Sequence, residues 1–348
     1  MKKIAILLLL IVSVSATTLK VPSQYSTIQA AIDAASNGDT VLVAAGTYTE
    51  NLIMGGSSST PKRSVTLSSV SGPDNTIIDG NYQNSTIIIT NHNYNKENPD
   101  SIAIIGFTIK GGFSYLHEFD GVYGGGITIN SNYGDVYYFE DLLFVDNDTD
   151  INFKWAKTIA YIDGCTFIRD GGEYWKGCIT AYQDESSILI TNSIFYDWPE
   201  SGSVGMFVDA RGIKSITNSL IYPEVYEGVG NINADPLFCD YASNVYPNLK
   251  GDYHLMPSSP CVGTGENGVN MGAFGVGCEI DRLETLSEFV PDNYFLHENY
   301  PNPFNPTTTL RFDLPEVSSI TLTIYNMLGQ RVRTFNMNDT PAGFHSIK

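Results

Sequence analysis

The sequence predicts an all-β protein built on a parallel β-helix with a short capping helix at its N-terminal side. Three observations carry that fold class. The stretch from Val21 to Tyr48 reads as a short amphipathic helix, a glycine stop and then a strand. An apolar run with a single large anchor then returns at Ile109, Phe144, Phe167, Phe195 and Ile221, with separations of 35, 23, 28 and 26 residues. Glycine and asparagine punctuate the ends of these runs, where a coil has to turn a corner.

Residues 1–16 read as a secretory leader: Lys2 and Lys3, an apolar run from Ile4 to Val12, and the small-residue site Val14-Ser15-Ala16. The apolar run is shorter than a bilayer needs, so cleavage and export are expected. No later segment is long and apolar enough to cross a membrane, and no membrane insertion of the mature chain is expected.

The capping helix is predicted with Ser26 as N-cap and Gln29 three residues on, as in a capping box. Tyr25, Ile28, Ile32 and Ala35 share one helical face. Gly38 follows, and Val41 and Val43 alternate as a strand. A helix whose apolar face is consumed by the next strand suits the end of a repeat array, where a cap closes the exposed core. This stretch resembles the N-terminal cap of secreted right-handed parallel β-helix proteins, the pectate-lyase-like class. The resemblance implies right-handed coils and an extracellular address.

The repeat itself reads AIIGFTIKGG, YFEDLLFVDN, YIDGCTFIRD, LITNSIFYDW and SITNSLIYPE. Each unit is too small to bury its inward side chains alone. Stacking puts the same position of successive coils in one interior column. The first gap is predicted to hold an insertion around Phe113 to Tyr123, and Ser64 to Asn81 reads as an earlier coil. Asn147, Asn192 and Asn218 fall at or beside corners, where asparagine tolerates the left-handed region and bonds neighbouring backbone. An antiparallel sandwich or propeller would show hairpin signals every 8–12 residues. Asn-Gly occurs only at Asn37-Gly38 and Asn267-Gly268, outside the repeated region.

Ala234 to Cys278, with its DPLF, GDYHL, SPC and MGAFG stretches, resembles the closing segment of secreted β-helix proteins. The resemblance implies a C-terminal closure rather than an active site. The expected organisation is a leader (1–16), a β-helix (17–278), an acidic linker (279–291) and a C-terminal module (292–348). In the last, Thr309 to Asp313, Ile320 to Tyr325 and Gln330 to Phe335 read as strands, and Leu328-Gly329 as a turn. NYPNPFNPTT followed by IYNMLGQRV closely resembles the type A C-terminal sorting domain of the type IX secretion system. That implies a partial Ig-like β-sandwich, recognition by type IX secretion machinery, and a secreted or outer-surface location reached through the periplasm. PAGFHSIK is expected to lead into another strand, so the sorting domain reads as truncated.

Charge narrows the ligands. With 19 Lys+Arg and 38 Asp+Glu the chain carries −19, and without Lys2 and Lys3 it carries −21. Phosphate backbones and anionic lipid would be repelled, so nucleic acid is not an expected partner. A polyuronate would need bridging Ca²⁺. A monomer is expected. The five cysteines, Cys165, Cys178, Cys239, Cys261 and Cys278, lie on an exported chain where disulfides form, and the odd count leaves at least one thiol outside any intrachain pair. Cys239, Cys261 and Cys278 cluster near the end of the β-helix, with their pairing open.

For chemistry, the hydrolases of this class carry paired aspartates and a GHG stretch, and neither occurs here. The lyases carry a Ca²⁺ site of Asp residues on adjacent coils and a basic residue. Asp146, Asp148 and Asp150 at one corner, with Asp170 and Asp197 after the next anchors, are the candidate Ca²⁺ ligands. Arg169, Lys176, Arg211 and Lys214 are the candidate bases. Trp155, Trp175 and Trp198, with Tyr174 and Tyr182, are the candidate sugar-binding surface, although the tryptophans fall 11, 8 and 3 residues past their anchors and so do not share one phase. The expected function is a polysaccharide-binding or adhesion module at the cell surface. The alternative is a Ca²⁺-dependent polysaccharide lyase.

Overall fold

A computed structural model describes residues 16–56, 64–91, 100–117, 121–131, 134–154, 158–168, 178–181, 186–196, 207–208, 212–223, 225–241, 251–278, 291, 293–297, 299, 308–326 and 329–347. The chain divides into two compact units, Met1–Cys278 and Glu279–Lys348.

The first unit is a right-handed parallel β-helix with three faces. Face A has eight strands, from Thr18–Val21 to Ile213–Thr217; face B has seven, from Gly46–Thr49 to Leu220–Ile221; face C has six, from Leu52–Gly56 to Phe207–Val208. The chain visits A, B and C in turn, so every neighbour in a sheet is one coil away and every pairing within the three faces is parallel. The anchors predicted from the repeat are register partners on face B: Ile109 with Phe144, Phe144 with Phe167, Phe167 with Phe195, and Phe195 with Ile221. Their rings stack along the interior, 4.9 Å apart between Phe144 and Phe167 and 4.6 Å between Phe167 and Phe195. Face A adds a second buried column: Val41, Leu67, Ile104, Phe139, Ile162, Ile190 and Ile216. Each fully buried side chain of this size contributes roughly 1.5–3 kcal/mol relative to exposure.

The turn from face A to face B uses left-handed backbone on rung after rung: Gly106, Asp141, Gly164, Asn192 and Asn218 all have positive φ and stand in one column. Asn192 and Asn218 thus hold the role expected of them. Asn147 does not: Asp146 takes the positive φ, while the Asn147 amide accepts from Gly112 N–H and donates to the Ile109 carbonyl, both at 2.9 Å. The expected insertion is a β-hairpin, Ser114–His117 against Gly121–Gly124, between faces B and C.

The cap is a seven-residue helix, α1 (Ile28–Ala34), whose Ile28, Ala31 and Ile32 close the interior. Its start lies one residue later than the sequence predicts. Thr27 is the N-cap and accepts from Ala30 N–H at 3.1 Å. No capping box forms, because the Glu50 carboxylate from the following coil takes Ile28 N–H at 2.9 Å and Gln29 N–H at 3.0 Å. Gln29 instead bonds Ile53 and Asp33 with its side chain.

Among its described residues the closing segment runs back along the outside of face B as a strap. Phe238, Tyr253, Leu255, Met271 and Phe274 form a second apolar cluster with the outward Leu143, Val145, Ile168, Ile194 and Leu220. The reason is legible in face B itself, whose outward Leu143, Val145, Ile168, Ile194 and Leu220 form an apolar patch across several rungs that water would not cover favourably. Cys239 and Cys278 form a disulfide with Cα atoms 5.6 Å apart, tying the two ends of the strap together. Cys165, Cys178 and Cys261 are buried. Burial pushes the Cys261 thiol up to about 12, so it is a packing group rather than a nucleophile.

The second unit has antiparallel sheets of a partial Ig-like sandwich. Leu310–Leu314 pairs with Phe295–Leu296 and with Gly343–Ile347, and Ser318–Tyr325 pairs with Arg331–Thr340. The segment expected to precede a further strand is itself a strand, Gly343–Ile347.

Candidate functional site

Of the sequence-derived candidates, Asp146, Asp148, Asp150 and Lys214 lie within the described residues. Arg169, Lys176, Arg211, Trp155, Trp175, Trp198, Tyr174, Tyr182, Asp170 and Asp197 lie outside the described residues, as does the leader up to residue 15. Lys214 is exposed on the last strand of face A, beside the register shift that separates Ile188 from Leu189 on its partner. Within the DNDTD corner, Asp146 and Asp150 are buried and point to different partners. Asp146 Oδ2 accepts from the Tyr82 hydroxyl, and Asp150 Oδ1 accepts from Asn147 at 3.2 Å. Burial holds the Asp146 carboxyl above the usual carboxylate range; Tyr82 and Lys110 oppose the shift, and Asp79 and Asp148 add to it. Among the described residues no three His, Cys, Asp or Glu side chains converge as a metal site.

Two other places have the geometry of a site. The first is the outer surface of face A. Tyr138 and Tyr161 are register partners, their ring centroids 5.2 Å apart and their planes within 10°. That spacing is close to the strand separation of about 4.8 Å, so the rings stack rung on rung. Tyr161 is 41% exposed. Ala103 occupies the next rung on the Tyr138 side, and Leu189 the next on the Tyr161 side. Two residues further along each strand stand Glu140 and Asp163, also partners and also outward. Asp163 is fixed by Thr191 Oγ1 and Asn192 Nδ2, each at 2.8 Å. The result is an aromatic step bordered by a pair of carboxylates on a flat parallel sheet. Sequence reasoning could have found it: both tyrosines stand six residues before their anchors, Phe144 and Phe167, the shared phase that the tryptophans lack.

The second place is a cleft of about 350 Å³ where the strap leaves face B. Outward face-B side chains, Leu143 among them, form its floor and Phe274 of the strap its roof. At one end His254 bridges two carboxylates, with Nδ1 2.7 Å from Asp252 and Nε2 3.2 Å from Asp74. Asp252 and His254 are brought together by strand geometry, since residues two apart share a side; Asp74 is added by the fold. Lys110 also lines the cleft and is paired with Asp79 at 3.0 Å. Shielding by the strap raises the Asp74 carboxyl; His254 opposes the shift and Asp252 adds to it.

The comparisons with known proteins bear on the second unit. A family model described as a secretion system C-terminal sorting domain matches residues 298–346. No curated protein matches the chain. An all-β exported protein, a parallel β-helix followed by a type IX secretion sorting domain, is the class these findings define. The sorting domain directs the chain to the cell surface or the medium, and it implies interaction with the type IX machinery. Among the described residues no helix is long and apolar enough to cross a membrane.

Proposed function

We propose that this protein is a surface-displayed or secreted scaffold that binds a neutral polysaccharide on the outer surface of face A. The observation that carries the reading is the stacked Tyr138–Tyr161 pair with only Ala103 on the adjoining rung. An alanine is too small to cover the free ring face of Tyr138, which leaves a flat apolar surface one rung deep. The apolar side of a pyranose matches such a surface. Glu140 and Asp163, one side-chain column away, are acceptors for sugar hydroxyls. The chain's net charge of −19 favours a neutral glycan over a polyuronate. A binding role rather than turnover is supported by the site's composition: the carboxylates border the tyrosines with no histidine, lysine or arginine among the register partners of this patch.

The test is affinity electrophoresis and calorimetry of the full chain on a panel of neutral and acidic polysaccharides. Binding to at least one neutral polymer is expected, weakened about tenfold by Tyr161→Ala, a loss of about 1.4 kcal/mol. Unchanged binding by a Tyr138→Ala/Tyr161→Ala double variant on every polymer would sink the assignment to face A. Release of unsaturated sugars, abolished by a chelator, would replace it with the lyase reading.

A further inference from the structure

We propose that the cleft between the strap and face B is a second, independent site that takes a single neutral pyranose unit. The proposal rests on the reading of glycan as ligand but on none of the face-A residues. The cleft volume of about 350 Å³ is in the range that holds a small ligand. Its walls and ends then select the chemistry. Leu143 below and Phe274 above are apolar, and Phe274 is anchored in the strap's buried cluster. A wholly apolar ligand would cover Asp74, Asp252 and His254 without offering them a hydrogen bond, which costs more than the apolar contact gains. An anionic ligand would meet two carboxylates, while the one ammonium, Lys110, is already matched by Asp79. A cationic ligand would have to compete with His254 for the two carboxylates it already bridges, which leaves a neutral body with an apolar face and several hydroxyl donors around its edge. Asp74 and Asp252 are placed to accept from adjacent hydroxyls.

The His254 ring fixes this arrangement. It holds Asp252 of the strap and Asp74 of the coil at opposite nitrogens, and it lies 5.1 Å from the Phe274 ring. A ligand that bonds the two carboxylates must therefore be felt at the imidazole. That gives a readout independent of any polymer assay.

The experiment is titration of the full chain with methyl glucoside, methyl galactoside and methyl mannoside, followed by NMR of the histidine ring signals. The corresponding uronic acids and a simple alkylamine serve as controls. Saturable shifts of the His254 signals with at least one methyl pyranoside are expected, with none from the uronic acids. Asp74→Asn and Asp252→Asn should each weaken that affinity about tenfold or more while leaving the melting temperature within a few degrees of the parent. Tyr138→Ala/Tyr161→Ala should leave the His254 response intact even where polysaccharide binding is lost. That separates failure of this site from failure of the face-A site. The proposal is overturned by absence of any pyranoside response, by an equal response to uronic acids, by a response to the alkylamine alone, or by a pyranoside response that persists unchanged in both Asp variants.

Discussion

At the scale of single residues, the same side chain takes opposite roles according to what surrounds it. Asp39 is buried beside α1 and accepts backbone N–H groups from Ser36 and Thr17, each at 2.8 Å. Those bonds, the Ser36 one first, lower its carboxyl below the usual range, so its contribution is present at neutral pH and is lost as the pH falls through its folded value. Asp146 is buried with Oδ1 lacking any hydrogen-bond partner among the described residues. Its folded carboxyl is raised by burial, so between pH 3.8 and that raised value the native state holds more protons than the unfolded chain. Stability contributed at this site therefore falls as pH rises through the window. Asp146→Asn replaces the charge with a neutral amide that also tolerates the positive φ of the position. Relative to the parent, the variant should gain about 1 kcal/mol as the pH is taken from 4 to 7, which denaturant titration at several pH values would measure. A constant difference across that range would show that the Asp146 carboxyl titrates alike in the folded and unfolded chain, without the shift that burial imposes.

At the scale of elements, the strap is the feature with the most to test. Among the described residues it has few backbone bonds to the coils, Gly272 N–H to the Asn192 carbonyl at 2.6 Å being one, and it is held by its apolar cluster and by the disulfide. Cys239 and Cys278 are 39 residues apart, and opening a loop of that size removes about 4 kcal/mol of stabilisation. Reduction, or Cys239→Ser with Cys278→Ser, should lower the melting temperature and expose Tyr196, Tyr241 and Tyr253, which meet Phe238 and one another edge-on. Near-ultraviolet dichroism would report it. Loss of near-ultraviolet signal without loss of far-ultraviolet signal is the expected order, because the coils keep their own ladder when the strap leaves.

The strap also shows where the sequence stops being legible. The face-B anchors could be phased from the text because one large residue recurs once per coil and its register partner is the same letter of the next repeat. The path of residues 234–278 could not, since a segment with no repeat carries no information on direction; the cue was the apolar outward set of Leu143, Ile168, Ile194 and Leu220, visible only once inward and outward are assigned. The helix start slipped by one residue because Glu50, 22 residues away, outcompetes a local capping box. The Tyr138–Tyr161 pair was in phase and legible. The Asp74–His254 contact joins an early coil to the strap and was not.

At the scale of the whole molecule, the β-helix behaves as a one-dimensional stack, in which each coil is stabilised by the two beside it. A cavity in the middle of the stack is therefore felt on both sides. Phe167 is completely buried, with Phe144 stacked on one face and Phe195 on the other. Phe167→Ala should cost about 4 kcal/mol, since neither neighbouring ring can move into the space without leaving its own rung. The second unit has its own buried residues, Phe312 and Leu314, and its own hydrogen-bonded sheets, so it has no share in that ladder. Differential scanning calorimetry of the full chain should thus show two transitions, of which Phe167→Ala lowers only the one belonging to residues 17–278. A single transition that the substitution shifts as a whole would mean that the units unfold as one, and the division into a helix that binds and a domain that sorts would have to be redrawn as a shared core.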